Sequence, residues 1–453
     1  MKRKLFTTTR IIMRGFLIGA LIGALLLHMP ICQREGVKLS FIDSLFVATS
    51  SISVTGLSTV NIGQTFAVPG QMVILLLIQM GGLGIVTFTT LLLLAIGKRI
   101  TLENRLLIQS AYNLDTLSGL VKITMRIVKA TICIELIGAL FYAIVFVPEY
   151  GIKGIWFSIF HSISAFCNAG IDLLGGNCFC MYRDNAIVNI NTMILIILGG
   201  LGFPVYWEII RCLNKNRINK KKDSVKDYRK MNFHAKLVIR VTIVLLVVGA
   251  LFTFLFEYNN PDTLGNLSLP KKIMASFFQS TTLRTAGFAT IDQAYFRSAT
   301  CIIYIIFMFI GGSPAGTAGG VKTVTVTLLV ASVIANVKGR KDVTILKRKI
   351  TDSIVRRCVA IISVSLSVLV VLMTLLLLTE PHDMLNVMYE MTSAIATVGL
   401  SRGLTSELTF LGKIIVTLAM YLGRIGPISL ALAFNSKVAE NNITRAEAKV
   451  MIG

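Results

Sequence analysis

Four short stretches of this chain read alike. "SSISVTGL" ends at Gly56-Leu57, "SAFCNAGI" at Gly170-Ile171, "TTLRTAGF" at Gly287-Phe288 and "SAIATVGL" at Gly399-Leu400. The glycines are spaced by 114, 117 and 112 residues (56 to 170, 170 to 287, 287 to 399). Ten residues before each stands an aromatic: Phe46, Phe160, Phe277 and Tyr389. Six before stands a hydroxyl: Ser50, Ser164, Thr281 and Ser393. A second mark follows 24 to 29 residues later, as GGLG at 81–84, GGLG at 199–202, GGSP at 311–314 and GRIG at 423–426. Aromatics are 8% of the chain, so four in register argue for four copies of one structural unit. Each unit reads as a long apolar helix, a half-length helix, a glycine-bearing turn and a second long helix.

The solvent for such units is lipid. Only 15% of residues are charged, against roughly 25% in soluble domains, and 54% are hydrophobic. Runs such as 71–97 and 361–378 are long enough for a hydrocarbon core of about 30 Å. The expected fold is an all-α polytopic membrane protein of eight transmembrane helices plus four re-entrant pore helices, in fourfold pseudosymmetric helix–pore loop–helix repeats. The repeats are placed at 1–97, 98–214, 215–337 and 338–453, the last with a C-terminal tail. Outer helices are expected near 11–29, 123–147, 237–257 and 356–379, and inner ones near 71–97, 187–211, 299–336 and 408–435. The N-terminal apolar stretch is read as a span, because the first repeat needs it.

The formal charge of +23 raises nucleic acid as a partner, but its distribution argues for topology. Segments 1–14, 98–126, 211–240, 338–357 and 436–453 hold 32 of the 45 Lys and Arg, and the alternate loops are sparse in them. That asymmetry places both termini in the cytoplasm of a plasma (inner) membrane, with basic loops near lipid headgroups. Enzyme signatures are missing: there is no H-E-x-x-H, no G-x-S-x-G and no G-x-x-x-x-G-K-[ST]. Cys178 and Cys180 form a lone C-x-C, far from the four histidines, and read as packing thiols.

A helix of about 12 residues is about 18 Å long and ends near mid-membrane. With this topology its C-terminal carbonyls and negative dipole end face the membrane centre. The chain must then return without a helix, which survives at that depth only when enclosed in protein or lining a wet cavity. A glycine there lets carbonyls point at a shared axis. A ring of such carbonyls can replace the hydration shell of potassium. The candidate selectivity filter is therefore Val54, Thr55 and Gly56; Asn168, Ala169 and Gly170; Thr285, Ala286 and Gly287; and Thr397, Val398 and Gly399. One glycine per quarter, with different neighbours, gives a less regular ladder than a symmetric channel and a weaker discrimination against sodium.

"GGSPAGTAGG" puts five glycines and a proline inside an apolar helical run: Gly311, Gly312, Ser313, Pro314, Ala315, Gly316, Thr317, Ala318, Gly319 and Gly320. Proline deletes a helical hydrogen bond and glycines weaken the helix, so a flexible loop is expected just below the filter. Lys322, directly after it, is expected to pair with a carboxylate when the loop is closed. Arg424 lies deep in the last apolar helix, where a charge is costly and signals function. Glu135 and Glu208 read as structural partners.

Taken together, "SVTGLSTV" (53–60), "FHSISAFCNAG" (160–170), "TTLRTAGFATID" (281–292), "GGSPAGTAGGVKT" (311–323), "SAIATVGLSRGLT" (393–405) and "GRIGPISL" (423–430) resemble the Trk/Ktr/HKT superfamily of potassium transporters, specifically its Ktr-type membrane subunit. The resemblance covers the whole chain. It implies potassium uptake, sodium stimulation or coupling, no organic cofactor in this chain, a homodimer, and a cytosolic ring of nucleotide-binding regulatory (RCK-type) subunits. It also implies that 311–320 is an intramembrane gate and that Arg424 faces the pore beneath the filter. The basic stretches 211–230 and 338–349 are candidate docking surfaces for the ring and equally topology signals. Three departures stand out: Cys167 where a polar residue usually precedes "NAG", Ile171 for a common Phe, and Arg402 just outside the fourth filter segment, which bears on selectivity. A passive monovalent cation channel with weak potassium/sodium discrimination is the alternative.

Overall fold

The fold is that of a computed structural model, which describes residues 2–84, 120–175, 178–219 and 231–426, with Thr87, Phe88, Thr90, Leu91 and Leu94 between. The first quarter is α1 (Lys2–His28), α2 (Phe41–Ser53) and α3 (Val68–Leu83). The second is α4 (Leu120–Tyr150), α5 (Ile152–Phe166), α6 (Ala186–Leu201) and α7 (Phe203–Asn219). The third is α8 (Phe233–Glu257), α9 (Leu269–Thr282), α10 (Ser298–Phe309) and α11 (Thr323–Val337). The fourth opens on strands β1 (Val343–Ile345) and β2 (Arg348–Ile350), then α12 (Asp352–Thr379), α13 (Met384–Ala396) and α14 (Phe410–Ile425).

Four helices are long and apolar enough to cross a bilayer alone: Arg10–His28, Val121–Tyr150, Phe233–Glu257 and Asp352–Thr379. They carry exposed leucines and valines such as Leu25, Leu140, Val244 and Leu378, as lipid-facing surfaces do. The short helices α2, α5, α9 and α13 start at polar or glycine caps. Ser40 accepts a bond from the Asp43 amide, and Asp383 from that of Leu385. Gly151 turns the chain sharply into α5, with φ 60°. Each short helix is largely buried and packs on the long helix that precedes it.

The inner helices depart from the expected continuous spans. α3, α6 and α14 stop at Gly84, Gly202 and Gly426, whose φ/ψ are 83/141°, 87/141° and 86/145°. Only glycine adopts that combination readily, and it breaks the helical ladder. α6 and α7 consequently meet at 98°. In the third quarter the run splits into α10 and α11, separated by a non-helical loop. Eight unbroken spans are thus not what the described residues form, although the outer-helix, short-helix, inner-helix order recurs four times. The expected boundary at 97/98, most of the 211–230 stretch and the C-terminal tail lie outside the described residues.

The quarters interlock cyclically. α3 packs on α5, α6 on α9, α10 on α13 and α14 on α2, so each inner helix supports the short helix of the next quarter and the fourth returns to the first. The departure from an all-α chain is the hairpin β1–β2, paired antiparallel with Val343 opposite Ile350. Its two-residue turn, Leu346-Lys347, has positive φ at both positions, the geometry that follows strand twist.

Candidate ion pathway

The backbone just after each short helix turns the same way. Val54, Asn168, Thr285 and Thr397 all have positive φ, at 58, 61, 61 and 52°. Two residues on, Gly56, Gly170, Gly287 and Gly399 do too, at 102, 65, 76 and 93°. The residues between them point carbonyls across the quarters. A side chain at Gly56 would strike the Ala169 oxygen, at Gly170 that of Ala286, at Gly287 that of Val398, and at Gly399 that of Thr55. The order is first, second, third, fourth and back to first, so the four segments enclose one axis. Glycine is required at all four for two reasons together, the left-handed backbone and the close approach.

Hydroxyls hold the ring from behind. Ser50 and Ser393 accept bonds from the amides of Gly56 and Gly399 at 3.1 and 3.0 Å. Ser164 donates to the Ile171 carbonyl at 2.7 Å. In the third quarter the task falls to Thr282, which donates to the Phe288 carbonyl at 2.6 Å, whereas the expected Thr281 bonds back to Phe277 in its own helix. The aromatic shifts equally: Phe278 is fully buried and Phe277 is 38% exposed. The third helix therefore reaches its glycine with one residue fewer after its anchor. Two adjacent phenylalanines and two adjacent threonines hid this in the sequence.

Outside the ring lies a cavity of about 460 Å³ lined by all four glycines. Among the described residues its lining includes Asp172 and Asp292 and no lysine or arginine. Arg402 stays out of the ring and of the cavity lining. Its Nε bonds to Asn386 Oδ1 at 2.8 Å, and its guanidinium binds the Gln293, Ala294 and Phe296 carbonyls, clipping the outer loop of the third quarter to the fourth. Cys167, buried, directs its thiol toward Gln79 and Glu135.

Below the ring, residues 310–322 form a pinched loop. Gly311 donates to the Val321 carbonyl, and Thr323 to that of Gly312, closing the neck. The loop docks on the kinked helix of the second quarter: Ser313 N meets Gly200 O at 2.9 Å, Thr317 N meets Gly199 O at 3.1 Å, and Phe203 N meets Ala315 O at 3.1 Å. Pro314 O lies against Gly202, and Gly316 against the Gly199–Gly202 backbone. Upward, Gly319 N donates to Thr285 Oγ1 at 3.1 Å, and Thr317 Oγ1 donates to the Phe166 carbonyl at 3.1 Å. Gly320, with φ 66°, folds back on Gly311 beside Ala318 and Gly319.

Arg424 bridges this loop to the first quarter, donating to Thr317 O at 2.7 Å and to Gly81 O. Among the described residues Lys322 does not meet the carboxylate that the sequence leads one to expect. It folds over the loop and donates to Ala318 O at 2.7 Å and Gly319 O at 3.4 Å. Of the two glutamates singled out in the sequence, Glu135 has a neutral partner and Glu208 a charged one. Both Glu135 oxygens accept from Gln79 at 2.8 Å. Glu208 lies farther out, paired with Arg211 at 2.7 Å and accepting from the Asn232 amide at 2.8 Å.

A family model described as TrkH, cation transport protein, matches residues 9–445. The chain belongs to the TrkH family. It is 39% identical over 449 residues to the Ktr system potassium uptake protein B of Bacillus subtilis, covering 99% of this chain and 97% of that one. It is 36% identical to the potassium/sodium uptake protein NtpJ of Enterococcus hirae, over 100% and 98% of the two chains. The Ktr system potassium uptake protein B of Vibrio alginolyticus is 37% identical over 93% and 90%. In fold the chain is similar to the potassium transporter TrkH of Vibrio parahaemolyticus, with a TM-score of 0.72 at 18% identity, over 93% of this chain and 85% of that one. Members of the TrkH family are ion transporters in the membrane, not enzymes.

Two features of this TrkH-family chain escaped the sequence reading. Asp172 and Asp292 flank the outer cavity from loops of different quarters, five or fewer residues past their glycines, and only the shared axis brings them together. Glu390, on α13, is fully buried behind the fourth segment and accepts from Ser401 at 2.6 Å and from Thr405. Its signal was available as a carboxylate inside an apolar half-helix.

Proposed function

We propose that this protein carries potassium into the cell across the plasma membrane, with both termini cytoplasmic, by stripping the ion's water at the carbonyls of residues 54–56, 168–170, 285–287 and 397–399. The observation that carries this is the closed ring, in which each quarter's glycine is covered by the carbonyl of the next. The four short helices add their negative ends around that axis, which favours a cation. The membrane potential supplies the work: about 2.3 kcal/mol per charge per 100 mV, and so roughly 4 kcal/mol at 180 mV, a thousandfold accumulation.

Residues 311–320 are the gate in this reading. Arg424 and Lys322 hold the loop closed by binding its carbonyls, and a fixed cation at that level opposes a passing one. Opening is assigned to a cytosolic nucleotide-binding ring acting on a homodimer of this chain, with the basic stretches 211–230 and 338–349 as its docking surfaces. The relatives' printed names, a Ktr system potassium uptake protein B and a potassium/sodium uptake protein, support potassium as the cargo and sodium as a second ion.

The test is growth and 86Rb or potassium uptake in a cell lacking its own uptake systems, with and without sodium. Wild-type protein restores growth on low potassium. Gly399→Ser forces the Thr55 carbonyl aside and lowers the potassium-to-sodium ratio; an unchanged ratio removes the filter assignment. The one-residue offset of the third quarter favours a second reading, a passive channel of weak selectivity. A reversal potential that ignores the sodium gradient supports that reading over coupled transport.

A further inference from the structure

Arg284 sits two residues past the last turn of α9 and is 3% exposed. Its Nε, Nη1 and Nη2 make no hydrogen bond among the described residues. A buried guanidinium with no acceptor is costly, and removing a charged group from water without a partner costs far more than an ordinary lost hydrogen bond. The other two buried cations of this region, Arg424 and Lys322, bind loop carbonyls, and none of the three forms an ion pair among the described residues. The guanidinium lies beside Gly200 and Ala318: a Cβ built on Gly200 would be 4.0 Å from Arg284 Nη2 and 3.9 Å from Ala318 Cβ. The Gly199 and Gly200 carbonyls there are occupied by the loop amides Thr317 N and Ser313 N.

We propose that Arg284 is a positioning residue for the gate: when residues 311–320 lift away, its idle guanidinium takes the Gly199 and Gly200 carbonyls that the loop amides release. The exchange is balanced in hydrogen bonds. Closed, the carbonyls are satisfied by the loop and the guanidinium is not. Open, the guanidinium satisfies the carbonyls and the loop amides reach the wet pore. Arg284 thus destabilises the closed arrangement and stabilises the open one, the reverse of Arg424, which binds the loop only while it is docked. The inference rests on the gate reading above.

Epistasis separates it from a plain packing role. Arg284→Met, similar in length and uncharged, is expected to lower uptake roughly tenfold, about one charged hydrogen bond's effect on the open-to-closed ratio. Arg284→Lys, which keeps the charge but loses the fork, falls between and guards against a folding defect in the methionine variant. Arg424→Ala raises uptake. Deleting Gly311–Gly320 raises uptake, and in that background Arg284→Met changes it less than twofold. A fall that persists in the deletion background makes Arg284 structural and overturns the inference. A rise in both backgrounds makes it a barrier to the ion and overturns it too, as does an unchanged rate in the full-length protein. A deletion that leaves uptake at the wild-type rate sinks the gate reading itself, and this inference with it.

Discussion

Val54, Thr285 and Thr397 are β-branched residues in the left-handed region, with φ of 58, 61 and 52°. Such residues resist that conformation at a cost of order 1–3 kcal/mol each, and it persists only where the surroundings enforce it. Here a hydrogen bond from the next amide to the end of the short helix enforces it in all three: Thr55 N binds Ser50 O at 2.9 Å, Ala286 N binds Thr282 O at 3.0 Å, and Val398 N binds Ser393 O at 2.8 Å. The glycines were legible in the sequence because the residue type itself announces an unusual backbone. The left-handed Val54 and Thr397 were not, since their propensities say the opposite. Glu390 belongs to the same scale. Its carboxylate ties the returning segment at Ser401 and Thr405 to α13, so Glu390→Gln, which keeps the shape and one acceptor, is expected to retain most uptake. Glu390→Leu leaves two hydroxyls unpaired and is expected to cost about 2–4 kcal/mol of stability and to lower potassium-over-sodium selectivity. Thermal unfolding in detergent and the ion flux ratio check both.

Among the elements, the short helices were readable and the inner ones were misread. An apolar run with two or three glycines satisfies hydropathy whether or not it is one helix, and the break lies in ψ of about 141–145° at Gly84, Gly202 and Gly426, which composition does not encode. The break is useful. At Gly202 it turns α7 aside by 98° and exposes the Gly199 and Gly200 carbonyls on which the loop docks. Gly202→Ala is therefore expected to act on the loop and not on the ring. A methyl there strikes the Pro314 carbonyl and needs a backbone conformation that costs a few kcal/mol outside glycine. Uptake should rise severalfold with the potassium-to-sodium ratio unchanged. A fall in that ratio would place the defect in the ring instead.

At the scale of the whole molecule, the four marks in register make the pseudosymmetry legible in the sequence, because repeats of one unit have few ways to bury their half-length helices. What symmetry does not dictate is charge. The outer cavity carries Asp172 from the second quarter and Asp292 from the third, with no counterpart from the first or fourth in its lining. Fixed negative charge at a narrow entrance concentrates cations, and salt screens it over about 8–10 Å. Asp172→Asn with Asp292→Asn is expected to lower uptake severalfold at micromolar potassium and low ionic strength, and the difference should vanish at roughly 0.5 M of an impermeant salt. A deficit unaffected by salt would mean that the carboxylates act on the ring's shape instead.

The ring of inner helices resting on neighbouring short helices is continuous in space but not in covalent bonds. Three of its joints are bridged by the chain, and the fourth, where α14 meets α2, is closed by side chains alone, among them Lys413 and Asp43 at 2.7 Å, 19% and 14% exposed. That seam already holds without a tether. A polypeptide severed between any two quarters would ask of the new gap only what the native clasp does throughout the life of the protein, so split halves made together should find one another in the bilayer.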